Sequence, residues 1–241
     1  MRALRTVLLG ALLVAPTALA QEALRFDSSL GEVVVYPLGH ASLRIETGEV
    51  VIQVDPWSDV ADYAMQPAAD LVLVTHDHPD HFDPAALEQL MGEGTVFVMD
   101  SHSAEQFAGE AMVLANGESV EVMGVTVTAV PAYNVQRMRD DGEPFHAQGD
   151  YNGYLLDIGD LRLFVAGDTE CVPEMAELTE VDVAFLPINL PFTMPPEEAA
   201  ACFRTIAPAV AVPYHQGESD PQVVADMLAD TEIDVRVLQL P

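Results

Sequence analysis

The 241-residue chain has no lysine, and its nine basic side chains are all arginines. Against them stand 39 Asp and Glu residues, for a formal net charge of −30. So few scattered arginines cannot offset an acidic field beside a phosphate backbone, which excludes a nucleic-acid binder working through a basic surface. The same field repels anionic membranes and keeps the chain soluble. Two cysteines cannot build a disulfide scaffold. There is no Gly/Ser linker, low-complexity tract or short-period repeat. Half of the residues are hydrophobic, so the chain buries enough apolar surface to offset its ordering entropy and is not disordered.

Residues 1–20 read as a cleaved leader, with a charged start at Arg2 and Arg5, an apolar run over Val7–Ala15 and a small-x-small signature at Ala18-Leu19-Ala20. The run is too short to span a membrane, and no Cys follows it to carry a lipid. Gln21 becomes the expected N-terminus of a periplasmic or secreted protein without a membrane anchor. Removing the leader leaves seven arginines against 39 acids, a net charge of −32. Residues 21–241 form one domain, which at this size buries roughly 70% of its extended-chain surface.

Short β-branched runs alternate with helical patterns. The runs predict strands at Val33–Tyr36, Ser42–Glu46, Val50–Val54, Leu71–Thr75, Val96–Met99, Ser119–Val122, Val125–Val130, Tyr154–Ile158, Arg162–Ala166, Val183–Leu186, Val210–Val212 and Val235–Leu238. Helices are predicted at Pro84–Met91, Ala104–Ala108, Pro173–Leu178, Pro196–Ile206 and Pro221–Leu228. An early hairpin-rich block gives way to strand–helix alternation, and this order recurs in the second half. It implies an α/β fold with two sheets packed face to face and helices outside. Arg137–Glu143, the most polar stretch, reads as a surface loop.

The strongest chemical signal is Thr75-His76-Asp77-His78-Pro79-Asp80-His81, directly after the apolar strand Leu71–Val74. His76, His78, Asp80 and His81 put four donors at the C-terminal end of a strand, where sites form in α/β domains. His76 and His78 project from one face of extended chain, and Asp80 and His81 approach after the turn. Imidazole with carboxylate suits zinc, manganese or iron. Asp168 in Val165-Ala166-Gly167-Asp168-Thr169 and His215 in Val212-Pro213-Tyr214-His215 occupy the same kind of strand end. A carboxylate at 168 bridges two cations or caps a following helix. Cys171 reads as a soft ligand or as the partner of Cys202 in a disulfide, and Cys202 otherwise as a small buried hydrophobe.

Together these residues resemble the metallo-β-lactamase fold superfamily. THDHPDH at 75–81, AGDT at 166–169 and VPYH at 212–215 match its motifs in order. LGHASLRIE at 38–46, Asp55-Pro56, PAYN at 131–134, Phe145-His146 and PFTMPPEEAA at 191–200 resemble the branch of L-ascorbate-6-phosphate lactonase-like and other metal-dependent hydrolases. The resemblance implies an αββα sandwich of two mixed β-sheets with helices on the outer faces. It also implies a site for two divalent metal ions, Zn²⁺ first, with Mn²⁺ or Fe²⁺ also suited to the donors. One ion takes His76, His78, a further His and Asp168; the other takes Asp80, His81, Asp168 and His215. Many relatives place the further His where Asn134 stands, so His146 is favoured, with His102 as the rival. His40 lies near the metals in that branch, to handle a proton or orient a ligand or substrate, or else serves the backbone. Asp55 is expected to accept from a metal-bound His. Tyr133, Asn134, Asn189 and Tyr214 are candidate pocket groups.

Two such cations would share a water and lower its pKa towards about 7, supplying a nucleophile for a carbonyl or phosphorus centre. Asp80 and His40 are the candidate catalytic proton carriers. The expected function is therefore hydrolysis of a small ester, lactone, amide or phosphoester. The alternative is a non-catalytic extracellular metal-binding protein that retains the fold, an idea fed by Asn134 at the usual His position. Iron-dependent redox chemistry ranks below both, because no flavin domain fits in the chain.

Overall fold

The computed structural model describes residues 23–48 and 50–238. The expected leader over residues 1–20 lies outside the described residues. Two seven-stranded sheets stack face to face. The first takes its strands in chain order: β1 (Leu24–Ser28), β2 (Gly31–Gly39), β3 (Ser42–Thr47), β4 (Val50–Val54), β5 (Leu71–Val74), β6 (Val96–Met99) and β7 (Met112–Val113). The second takes β8 (Ser119–Val122), β9 (Val125–Ala132), β10 (Tyr151–Ile158), β11 (Leu161–Val165), β12 (Val183–Pro187), β13 (Val210–Tyr214) and β14 (Asp234–Val235).

Each half of the chain repeats one plan. Strands β1–β4 and β8–β11 pair antiparallel, through short turns except between β9 and β10, where the long segment 133–150 intervenes, and β4–β7 and β11–β14 then pair parallel. Parallel neighbours need crossovers, and these carry the helices: α1 (Pro84–Leu90), α2 (Ser101–Gln106), α3 (Pro196–Ile206) and α4 (Gln222–Leu228). The αββα sandwich of two mixed sheets is the architecture that the strand order implies.

The core lies between the sheets. Leu43, Ile45, Ile52, Val54, Leu71 and Leu73 face Val127, Tyr154, Leu156, Leu163, Val165, Phe185 and Tyr214 across it. Odd-numbered Leu71 and Leu73 point inward, whereas Val72 and Val74 point outward beneath Leu87 and Leu90 of α1. Strand β5 is thus apolar on both faces and reads as an unbroken hydrophobic run. On the other flank α3 covers Phe164, Ala184 and Leu186 with Ala199, Cys202, Phe203 and Ile206. Its ends complement the helix dipole: Glu197 and Glu198 lie in the first turn and Arg204 in the last. No helix among the described residues is long and apolar enough to cross a membrane.

The predicted strands are all present, with shifts of a few residues at their ends; the last, expected over Val235–Leu238, is β14 at Asp234–Val235. Two were missed. Strand β1 alternates buried and exposed residues and carries Arg25 and Asp27, and β7 is only two residues long. The helix expected over Ala104–Ala108 is α2 and begins earlier, because the Asp100 carboxylate accepts from the backbone N–H groups of His102 and Ser103 at 2.7 and 3.1 Å. Pro173–Glu177 is a 3₁₀ turn instead of an α-helix.

Cys171 and Cys202 are joined by a disulfide with Cα atoms 5.6 Å apart, so Cys171 is not a soft metal ligand. The bond ties the segment after β11 to α3 and closes a loop with a sequence separation of 31. Loop-closure entropy predicts that Cys171→Ala/Cys202→Ala lowers the free energy of unfolding by about 2–4 kcal/mol in urea titrations. Thiol reductant is expected to produce the same loss in the parent and none in the double variant.

Candidate metal centre

Strands β2, β4, β5, β9, β11 and β13 all end at one edge of the sandwich. The chain leaves five of them at His40, Asp55, Thr75-His76, Asp168 and His215. His40, Asp55 and His215 have positive φ angles of 50°, 45° and 42°. Holding a non-glycine residue there costs of order 1–3 kcal/mol, strain that the surrounding contacts must over-determine. Those contacts cross between the sheets. The His215 N–H donates to the His40 carbonyl at 3.1 Å, and the Asn152 N–H to the Thr75 carbonyl at 3.0 Å. The Tyr154 hydroxyl donates to the Val74 carbonyl at 2.7 Å. At Gly167 (φ 65°) a Cβ would lie 2.9 Å from the Thr75 Cβ and 3.0 Å from the Asn152 carbonyl oxygen, so only glycine lets Asp168 reach the edge.

The side chains then converge. One potential ligand atom each from His40, Asp80, His81 and His215 lie within 4.8 Å of one another, as do those of His76, His78 and His146, and those of His76, His81 and Asp168. All seven residues expected to hold metal therefore meet at one place, together with His40. Asp168 lies between the groups. Its Oδ1 is 3.1 Å from His215 Nε2 and 3.4 Å from His81 Nε2, and its Oδ2 is 3.5 Å from His146 Nε2. No helix begins directly after Asp168, so the helix-cap reading fails.

Hydrogen bonds behind the ring decide which nitrogens face inward. His81 Nδ1 donates to Asp55 Oδ2 at 2.8 Å, and His146 Nδ1 to Asn134 Oδ1 at 2.8 Å. His76 Nδ1 sits 3.0 Å from the Thr75 hydroxyl, which itself donates to Asp55 at 2.7 Å. With the Nδ1 hydrogens committed outward, the Nε2 atoms of the neutral rings of His76 and His146 carry lone pairs into the cavity, and that of His81 does so once a cation displaces its proton. There His81 Nε2 faces His215 Nε2 at 3.2 Å, and His78 Nδ1 faces His76 Nε2 at 3.1 Å and His146 Nε2 at 3.2 Å. Asp168 Oδ1 is buried and accepts no hydrogen bond. Lone pairs and an orphaned carboxylate oxygen turned on one another repel unless a cation lies among them, and donors of this type suit zinc.

Burial disfavours the imidazolium form of His76, His78 and His146, lowering all three pKa values, that of His146 to about 4. All three are therefore neutral at neutral pH, the form in which an imidazole can hold a metal. Burial acts the same way on His81 but is overcome by Asp168, Asp55 and Asp80, which raise it to about 9. Burial also opposes ionisation of Asp168, and the imidazoles of His215 and His81 outweigh it and hold its carboxyl well below the usual range.

The remaining expectations divide. Asp55 takes the place foreseen behind His81. His102 stands apart on α2, half exposed and 3.6 Å from Asp150, and is not in any of the converging groups. Tyr133 is buried, with its hydroxyl on Glu174, and the Tyr214 hydroxyl accepts from the Gly167 N–H at 3.0 Å, so both support the site from behind. Asn189 hydrogen-bonds Thr193 and lies outside the converging groups. Sequence reasoning missed Thr75 and Glu170. Glu170 is buried and accepts from the backbone N–H groups of Val135, Gln136 and Arg137 at 3.0, 2.8 and 2.7 Å and from the Asn134 amide at 3.3 Å. Its adjacency to the AGDT motif was the only available signal.

The model of the beta-lactamase superfamily domain matches residues 35–215. The chain belongs to that superfamily. A UPF0173 metal-dependent hydrolase from Methanopyrus kandleri is 35% identical over 218 residues, which is 84% of this chain and 94% of the relative. A crystal structure from Parabacteroides distasonis, described as a candidate metal-dependent hydrolase, aligns with a TM-score of 0.87 at 37% identity over 92% of this chain and 100% of the other. A metallo-hydrolase from the archaeon Ignicoccus hospitalis aligns with a TM-score of 0.70 at 25% identity, covering 85% and 94% of the two chains. The protein is an enzyme, a hydrolase of the metallo-β-lactamase fold.

The Glu170 cluster yields a direct test. Glu170→Gln withdraws a carboxylate from three backbone donors and is expected to cost about 1–3 kcal/mol of stability. Hydrogen exchange at the amides of Val135, Gln136 and Arg137 accelerates if this carboxylate holds the loop, and stays at the parent rate if it does not.

Proposed function

We propose that the protein is a metal-dependent hydrolase with a dinuclear centre, acting on a small ester, lactone, amide or phosphoester. His76, His78, His146 and Asp168 would hold one divalent ion, and Asp80, His81, His215 and Asp168 the other. The observation that carries this reading is the set of inward-facing imidazole lone pairs around a buried Asp168 whose two oxygens address different groups of histidines. When bound, such a pair of ions supplies Lewis acidity and an acidified water.

The chain's own residues supply orientation and proton handling. Asp55 and Thr75 lock His81 and His76 from behind, and Asn134 does the same for His146. Asn134 was the residue that fed the non-catalytic reading. As an acceptor for both the Nδ1 hydrogen and the backbone N–H of His146, it supports a complete ligand set. His40 Nε2 lies 2.8 Å from Asp80 Oδ2, at the open side of the centre, and its ring packs 4.8 Å from Trp57. Burial lowers the His40 pKa, opposed by its bond to Asp80, which leaves the ring neutral and able to take up a proton at neutral pH. The disulfide and the expected leader together support a periplasmic or secreted location. The formal net charge of −30 favours a small-molecule substrate over nucleic acid.

Metal analysis of protein purified without chelators tests the centre. Two equivalents are expected in the parent, with turnover of a generic ester or phosphodiester, and both fall in Asp168→Ala. Stoichiometric metal with no turnover across a broad substrate panel favours the metal-binding reading. His40→Gln keeps a donor to Asp80 but cannot take up a proton. Its expected signature is unchanged metal content with kcat reduced about 10²–10⁴-fold; unchanged kcat assigns His40 a structural role.

A further inference from the structure

We propose that Arg139 binds an anionic group of the substrate at the mouth of the metal centre, making the enzyme selective for carboxylated or phosphorylated substrates over neutral ones. This rests on the hydrolase reading above and names the substrate class for that site.

The first observation is an anomaly of pairing. With acids in more than fourfold excess, an arginine should find a carboxylate. Among the described residues Arg25, Arg44, Arg137, Arg162, Arg204 and Arg236 each do, at 2.6–3.2 Å. Arg139 alone forms no ion pair there, although Asp140, Asp141 and Glu143 flank it in sequence. It lies instead against the metal centre, with a guanidinium nitrogen 3.4 Å from His78 Nε2.

The second observation is that Arg139 is held in place. Its backbone N–H donates to the Glu143 carbonyl at 2.7 Å, and its carbonyl accepts from Gly142 at 3.0 Å, closing a tight turn. The guanidinium donates to the Phe145 carbonyl at 3.0 Å and lies 6.0 Å from the centre of the Phe145 ring. Phe145 precedes His146, so one short loop carries both a metal-facing imidazole and the unpaired cation. The Phe145 ring packs edge-on against the half-exposed Phe192 at 5.1 Å, which sets an apolar wall beside the charge.

The third observation concerns hydrogens. His78 turns Nδ1 towards His76 and His146. Where His78 Nδ1 gives its lone pair to a metal ion, Nε2 carries the hydrogen and no longer accepts from Arg139. Two donors then sit side by side at the opening, and an oxyanion satisfies both with charge-assisted hydrogen bonds. In a chain with a formal charge of −30, such a local cradle offsets the repulsion that an approaching anion meets.

The test compares matched esters that are neutral, carboxylated or phosphorylated, using parent, Arg139→Gln, Arg139→Lys and the charge control Arg25→Gln. Arg139→Gln is expected to lower the ratio of kcat/KM for the anionic over the neutral ester by about tenfold or more, mainly through KM. Arg139→Lys restores part of the ratio, since it keeps the charge but not the planar fork, and Arg25→Gln leaves it at the parent value. The larger loss, on the carboxylated or the phosphorylated ester, identifies the anion. Calorimetric titration with inorganic phosphate at matched metal content gives a readout free of turnover, with affinity expected to fall about tenfold in Arg139→Gln. An unchanged ester ratio together with unchanged phosphate affinity overturns the proposal. Absence of turnover on every ester counts against the hydrolase reading, and the phosphate titration alone then decides the role of Arg139.

Discussion

The constraint on which this site depends is where imidazole hydrogens go. Asp55 and Asn134 each accept the Nδ1 hydrogen of a histidine, from His81 and His146, and Thr75 stands at the same place behind His76. That choice forces the opposite nitrogens, as lone pairs, into one small volume beside a buried carboxylate. Desolvation strengthens the effect at His76, His78 and His146, because it penalises the protonated rings that would otherwise relieve the repulsion; at His81 the neighbouring carboxylates override it, so a cation binding there displaces a proton. A cavity rich in acceptors is stable when positive charge occupies it, so the acceptors behind the histidines are as much a part of the site as the histidines themselves.

The fold exists to make those groups meet. Two similar halves each deliver parallel strand ends to the same edge, and the sheets are stitched there by His215 to His40, Asn152 to Thr75 and Tyr154 to Val74. Both flanks bury apolar faces under helices, so the edge is carried by a close-packed frame that resists collapse of the strained residues His40, Asp55 and His215. Glu170 and the Cys171–Cys202 bond extend that frame to the loop bearing Asn134. The outer loops add character without building the centre: Phe145, Phe192 and Arg139 shape the opening.

Much of this was legible in the residues. Strands such as Val50–Val54 and Val96–Met99 agree to the residue, because β-branched runs bounded by turns leave little choice of period. The motif at 75–81 announced its chemistry, since four donors at the end of a buried strand have few other uses. Strand β1 was illegible for the converse reason: its alternating exposure and charged residues mark an edge strand held by its neighbour β2. The 3₁₀ turn at Pro173–Glu177 has a helical composition but closes with bonds three residues back, and its five residues are too few to commit to the α-helical period.

By itself the amino-acid sequence determined the strand order, the helical crossovers, the acidic surface and the identity of most candidate ligands, because periodicity and residue chemistry are local properties. Only the tertiary structure decided that His146 and not His102 joins the group, that Asn134 is an acceptor behind it, that Cys171 is bonded, and that Arg139 finds no acid partner among the described residues. Each of those outcomes depends on distances between segments tens of residues apart. Such distances are set by how two sheets pack, and no stretch of chain encodes them alone.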